Sequence, residues 1–247
     1  MKIFGIPVKV QPFFLLVVGF LGYSRNLPFE FLVEWVIVVF ISILAHEFGH
    51  ALTVRAFGMS PQILIYGFGG MTSWTDEKGV SPPKHIAISL AGPFAGFLFG
   101  GVVYLSNIAL PDLFADHFGR VTYRDLLFVN WGWGIFNLLP VLPLDGGNVA
   151  YSIEQWVTKK HRGVITRVVS LLVAGGVGLW ALSVGWVWVV FLMAIFAWNN
   201  GSALFQLLQF DRDGSVRALL DQAQEAVKID DGAAAVQSAK EALNSAH

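Results

Sequence analysis

The sequence predicts an all-α membrane protein: six transmembrane helices, a small membrane-associated β-sheet and a C-terminal helical hairpin. Three observations lead there. Hydrophobic residues make up 55% of the 247 residues and charged residues 13%, roughly half the charge that a water-soluble domain carries. The apolar residues gather in runs suited to crossing a ~30 Å hydrocarbon core, and the mean hydropathy is +0.62. The last 37 residues hold 11 of the 33 charged ones, so the polar character is set apart at one end. The same counts exclude other classes. With no Cys, disulfide scaffolds, thiolate zinc fingers and cysteine nucleophiles drop out. A net charge of -1 offers no basic field, so no nucleic-acid partner is expected.

The first apolar run, Val10 to Tyr23, follows Lys2 and Lys9. No small-x-small cleavage site comes after it, so it reads as retained rather than as a signal peptide. Fourteen helical residues reach about 21 Å, so this span borrows its flanks or sits in thinned bilayer. Phe31 to Phe57 is longer and carries Glu34, His46, Glu47 and His50. Ile86 to Leu110 is rich in small residues, among them Gly92, Gly96, Gly100 and Gly101. Leu126 to Val149 is interrupted by Pro140 and Pro143. Val164 to Leu182 and Trp186 to Leu208 form a tight hairpin, with Trp186 and Trp188 at the turn as an interfacial aromatic belt.

Six spans put both termini on one side. Lys2, Lys9, Lys78, Lys84, Lys159, Lys160 and Arg162 fall on that side, against Arg25, Arg120 and Arg124 on the other. The positive-inside bias makes the terminal side cytoplasmic; in a prokaryote the multi-pass protein would lie in the cell membrane. Two stretches have strand character. Phe4, Ile6, Val8 and Val10 alternate with their neighbours, and Gln62 to Trp74 is rich in β-branched and aromatic residues around a Gly cluster. They form either an amphipathic loop at the surface or a small sheet dipping in beside a site, where protein or water must satisfy the backbone.

Residues 209–247 form the second expected domain, after a membrane domain over 1–208. This tail is Ala-rich with helical periodicity, and Asp230-Asp231-Gly232 supplies a turn between two helices. It loosely resembles one tetratricopeptide hairpin. A single repeat cannot bury its own apolar face, so it packs on something else, a protein partner being one candidate, or the chain has been cut short.

The chemistry sits in the second span, at His46-Glu47-Phe48-Gly49-His50. A spacing of four puts both imidazoles on one helix face, one turn apart, where they can share a metal. Ionisable groups at membrane depth are costly and need partners. A catalytic zinc site has three protein ligands and one open position. Asp145 is the candidate third ligand, within Asn137-Leu138-Leu139-Pro140-Val141-Leu142-Pro143-Leu144-Asp145-Gly146-Gly147. The prolines break the helix and re-aim the carboxylate.

With these motifs the sequence resembles the site-2 protease family of intramembrane zinc metalloproteases, in its compact six-span form, over roughly residues 1–208. The H-E-x-x-H at His46 and the N-x-x-P-x-x-P-L-D-G run from Asn137 are the two motifs that define that family. The resemblance implies His46, His50 and Asp145 as Zn2+ ligands and Glu47 as general base. It also implies an edge strand for unfolded substrate over Ile63 to Met71, with Gly67, Phe68, Gly69 and Gly70 as substrate-binding residues. Ala91-Gly92-Pro93 looks like the family's G-P motif, and Gly96 stands where an Asn often follows. No stretch resembles the PDZ or CBS domains of some branches.

The expected activity is that of a zinc endopeptidase cleaving transmembrane protein substrates within the lipid bilayer. Glu47 takes a proton from water and hands it to the leaving amine. Asn137 either donates to the developing oxyanion or satisfies carbonyls freed by Pro140. A membrane-spanning substrate must unwind first, and β-augmentation on the edge strand would stabilise that state. Trp131 and Trp133 are candidates to line the substrate path, whereas His85, His117 and His161 read as solvated or interfacial. Two rivals remain. A prenyl-protein protease needs a downstream Glu ligand, for which Glu154 is poorly placed. A zinc transporter or channel would use the same ligands without hydrolysis, but has no need of Glu47.

Overall fold

The computed structural model describes residues 1–23, 28–67, 69–75, 79–159, 163–228, 237, 240 and 241. It is mostly helical with one four-stranded sheet, and divides into two compact units, Met1–His161 and Arg162–His247.

The first unit opens on two short strands, β1 (Lys2–Ile3) and β2 (Ile6–Val10), then α1 (Pro12–Tyr23) and α2 (Phe29–Ala56). At twelve residues α1 is short, about 18 Å of helix; the 28 residues of α2 reach about 42 Å. After Gly58, in the left-handed region at φ 83°, the chain forms β3 (Ser60–Tyr66) and β4 (Gly69–Thr75). The sheet order is β1-β2-β3-β4. β2 and β3 run parallel, with Val8 opposite Ile63 and Val10 opposite Ile65. β3 and β4 run antiparallel, with Ile63 opposite Thr72 and Ile65 opposite Gly70.

This changes the expected strand. Ile63 to Met71 is not one edge strand but the meeting of two, split by a turn at Gly67, and Phe68 lies outside the described residues. Among the described residues β3 is an inner strand and β4 is the edge. The sheet is held by period-two burial: Ile6, Val8, Ile63 and Ile65 point into one core with Phe14 of α1 and Val38, Val39 and Ile43 of α2. That core fixes the sheet against the helix that carries His46.

The polypeptide continues as α3 (Pro82–Ala109), which packs along α2. A short 3-10 turn at Pro111–Phe114 leads to α4 (His117–Leu127), capped by the Asp116 carboxylate, which accepts from the Gly119 amide at 2.8 Å. A π-helical segment, Phe128–Gly132, joins α4 to α5 (Trp133–Asn137). The helix then stops at Leu138 and restarts as α6 (Asp145–Thr158). The fourth apolar stretch is therefore broken in its middle. Pro140 and Pro143 interrupt the ladder there, and Gly146 and Gly147 allow the intervening backbone to lie on the first turn of α6.

The second unit contains α7 (Val164–Ser183) and α8 (Val187–Lys228). They pair across a turn in which Gly185 adopts φ 76° and the Trp186 amide donates to the Ala181 carbonyl at 2.8 Å. The α7 stripe Thr166, Ser170, Ala174 and Ala181 is buried, and small residues of this kind let membrane helices approach closely. α8 runs unbroken past residue 208 to Lys228. The expected turn at residues 230–232 lies outside the described residues.

Among the described residues, four helical stretches are long and apolar enough to cross a membrane: Phe29–Ala56, Pro82–Ala109, Val164–Ser183 and Val187–Phe210. Large apolar side chains such as Ile37, Leu98, Leu105 and Leu172 are exposed, whereas Glu34, Ser42, Glu47 and Asn130 are buried. Polar-in, apolar-out is the pattern of a chain solvated by lipid.

Candidate metal centre

His46 and His50 lie one turn apart on the inner face of α2 and both are buried. Their Nε2 atoms are 3.1 Å apart. Asp145, first residue of α6, reaches both: Oδ2 is 3.1 Å from His46 Nε2 and Oδ1 is 3.4 Å from His50 Nε2. The helix break sets this up, because restarting at Asp145 aims its carboxylate at α2 rather than along its own helix.

The orientation of His50 is fixed by chemistry. Its Nδ1 lies 2.7 Å from the Ile88 carbonyl, which can only accept, so Nδ1 carries the proton. In the neutral ring that a metal ligand must be, Nε2 then presents its lone pair to the side of the cluster where Asp145 also points. A backbone carbonyl holding the far nitrogen is the usual support for a metal-binding imidazole. Ligand atoms around a tetrahedral zinc with bonds near 2.0–2.1 Å stand about 3.3 Å apart. The three observed separations bracket that value, so the residues present fit Zn2+.

Backbone approach completes the pocket. A side chain on Gly92 would collide with the His50 and His46 rings, and one on Gly49 would collide with the Ala91 backbone. The Ala91-Gly92-Pro93 run thus places the α3 backbone against the imidazoles.

Glu47 is buried next to the cluster, and its carboxylate lies with the two imidazole nitrogens inside a 4.8 Å group. Two carboxylates are therefore near the imidazoles, and their partners differ. Asp145 faces both Nε2 atoms, whereas Glu47 Oε2 accepts a 2.7 Å hydrogen bond from Thr72 Oγ1 on β4. Thr72 Oγ1 also lies 3.2 Å from the Glu47 carbonyl. Gly70 packs on the Glu47 side chain so closely that a Cβ there would overlap it. The edge strand is built directly on Glu47.

The other expected residues divide. Gly69 and Gly70 open β4 as part of the edge strand, while Gly67 sits in the preceding turn against Phe13 and Val17. Asn137 is buried at the end of α5. Trp131 does not line an open path: its Nε1 donates to the Phe97 carbonyl at 3.3 Å and its ring fills the space left by Gly100. Trp133 stacks on Phe136 at 5.5 Å. His85 is half-buried, with its Nδ1 2.8 Å from Ser152 Oγ.

Two residues escaped the sequence reading. Thr72 gave no signal beyond its place in a strand-like run. Asn130, in the π-helical segment, is buried and donates through Nδ2 to Ser42 Oγ at 2.9 Å and to the Leu126 carbonyl at 2.8 Å. It lies against Gly96, so the polar group at that depth comes from the neighbouring segment. A lone Asn inside an apolar run was the available clue.

A paired-histidine helix with an adjacent glutamate and a carboxylate from a second helix, all among apolar helices, is a donor set that suits a catalytic zinc. Comparison with known proteins agrees. The profile of peptidase family M50 matches residues 34–124. A putative zinc metalloprotease of Synechocystis sp. is 32% identical over 200 residues, covering 74% of this chain and 50% of that protein. A zinc metalloprotease of Methanocaldococcus jannaschii is 30% identical, covering 65% and 45%. The solved site-2 protease from Methanocaldococcus jannaschii superposes with a TM-score of 0.53 at 25% identity, covering 85% of this chain and 92% of that one. The chain is similar to site-2 proteases and to zinc metalloproteases of peptidase family M50, and its donor set suits zinc. It spans about half the length of the curated relatives it matches.

Proposed function

We propose that the protein is an intramembrane zinc endopeptidase that hydrolyses peptide bonds within or near transmembrane segments of other membrane proteins. The observation that carries this reading is the joining of a three-donor metal cluster to the edge of a sheet through Glu47 and Thr72. His46, His50 and Asp145 would hold Zn2+. When bound, zinc supplies a Lewis acid that polarises a carbonyl and acidifies water.

Glu47 accepts the proton of the attacking water and delivers it to the leaving amine. Thr72 holds the carboxylate through one oxygen and leaves the other for that exchange. Asn137 donates to the oxyanion that develops on the scissile carbonyl. β4 offers its free backbone groups to a substrate segment that has left its helix, replacing the hydrogen bonds lost on unwinding. Gly69 and Gly70 keep the start of that strand without side chains on approach to Glu47.

Six crossings accommodate the observed helices: α1, α2, α3, the broken α4-to-α6 stretch, α7 and the apolar part of α8. The bias of basic residues supports a cytoplasmic side for both termini, with residues 209–247 there as a site for a protein partner.

The direct test is cleavage in liposomes of a designed single-span protein whose Leu-rich span contains Asn-Pro. Zinc-loaded wild type should cut within the span, and Glu47→Gln should not. Equal cutting by both proteins would remove Glu47 from the chemistry. Zinc flux across the liposomes without cutting would favour a transporter instead.

A further inference from the structure

The first unit contains a cavity of about 310 Å³ that includes none of the metal donors, lined by Trp74, Gly79, Val80, His85, Tyr151 and Gln155. It opens where the end of β4, the start of α3 and the middle of α6 come together.

All three elements lead to it from the metal centre. On α3, seven residues separate Gly92, against the imidazoles, from His85, about 10 Å of helix. On α6, Tyr151 lies six residues beyond Asp145, about 9 Å. On β4, Gly70 packs on Glu47, Thr72 bonds its carboxylate and Trp74 lines the cavity. Residues 70, 72 and 74 share one face of the strand, because side chains alternate.

A substrate strand paired with the free edge of β4 must keep that alternation. Its residue facing Trp74 is two positions from the one facing Thr72 and four from the one facing Gly70. The side chain aimed at the cavity thus comes from a residue two to four positions from the bond held beside Glu47, toward the ends of the helices at Pro82 and Thr158.

The lining chooses the side chain. Among the described residues the lining is the rings of Trp74, His85 and Tyr151 with Gly79, Val80 and Gln155, mainly ring and apolar surface of the kind that seats an apolar-bodied side chain. Three rings line the cavity, and Trp74 and His85 meet at 6.0 Å with a tilt of 56°, an aromatic lining of the kind against which a further ring packs. The proton positions add a polar requirement. Ser152 Oγ donates its one proton to the Asn148 carbonyl at 2.8 Å, so it accepts from His85 Nδ1 at 2.8 Å. His85 Nε2 is left as an acceptor on a ring that lines the cavity, matching the indole N–H of Trp or the hydroxyl of Tyr.

We propose that this cavity is a specificity subsite for a Trp or Tyr side chain of the substrate, two to four residues from the scissile bond. The proposal rests on the proteolytic reading above. It names a feature that membrane proteins place where a span meets water, since Trp and Tyr are concentrated there.

The test uses the full-length protein in liposomes with designed single-span substrates. Each has a Leu-rich span containing Asn-Pro and flanks of Ala and Ser. A single Trp is moved through six positions on either side of the expected cut. Cleavage rates and cut sites are read by mass spectrometry. One Trp position, two to four residues from the cut on one side, should cleave at least 10-fold faster than the Trp-free substrate. Trp74→Ala and Gln155→Leu should each reduce that ratio, with zinc content reporting that the variants are folded. In Glu47→Gln protein, a photoreactive phenylalanine at the favoured position should crosslink to the peptide containing Tyr151 and Gln155. Rates independent of Trp position, or crosslinks spread over the surface, overturn the subsite. Cavity crosslinks without any cleavage by wild type leave the subsite standing and sink the proteolytic reading.

Discussion

Thr72 on the sheet edge and Glu47 on the second helix are joined by a 2.7 Å hydrogen bond from hydroxyl to carboxylate. The contact ties the strand proposed to receive substrate to the group proposed to move protons. A chain paired along β4 presses on the residue next to the base, so docking and chemistry share one support.

Removing that hydroxyl tests the tie. Thr72→Val keeps the shape and the strand preference but loses the bond. A hydrogen bond to a charged group contributes about 1.5–3 kcal/mol, so single-turnover cleavage should slow roughly 10- to 100-fold. Thr72→Ser should recover most of the rate, and zinc content should match wild type in both. Unchanged rates for Thr72→Val would show that Glu47 needs no holding.

Metal stoichiometry separates the two carboxylates. Purified protein should hold about one zinc per chain. His46→Ala and Asp145→Ala should lose it, whereas Glu47→Gln should keep it. Elemental analysis showing zinc retained by Asp145→Ala and lost by Glu47→Gln would exchange their roles.

The glycine against the imidazoles makes a prediction with its own control. Gly92→Ala places a methyl on the His46 and His50 rings; overpacking of this kind costs about 1–3 kcal/mol. Zinc affinity should fall roughly 10-fold or more. Gly101→Ala, on the same helix, meets nothing within 4 Å and should change neither zinc binding nor cleavage. Competition with a chelator of known affinity gives both numbers.

Topology follows from the basic residues. Reporter fusions after residue 210 and near Lys78 should read cytoplasmic, and a fusion near Asp116 should read from the opposite side. A cytoplasmic reading at Asp116 would rule out six crossings.

The metal cluster was legible because its first half is local. A spacing of four on a helix needs no tertiary information to bring His46 and His50 together, and the prolines around Asp145 announce a break. What depended on distant pairing was not legible. The Gly67 turn lies in an apolar run without polar turn residues, so one strand was expected where β3 and β4 form. Nothing near Val8 reveals its pairing with Ile63. The pairing of His85 with Ser152 was hidden because the two are 67 residues apart. Trp131 looked like path lining because its carbonyl partner belongs to another helix.

The donors of the metal cluster are separated along the chain. His46 and Asp145 stand 99 residues apart, and the sheet beside them needs residues from Lys2 to Thr75. During synthesis from the N-terminus, the histidine pair and the sheet edge are made well before the aspartate. A partial chain ending before the fourth apolar stretch therefore carries the whole sheet edge and an incomplete donor set. The order of the sequence thus completes the donor set only after the sheet edge has been made.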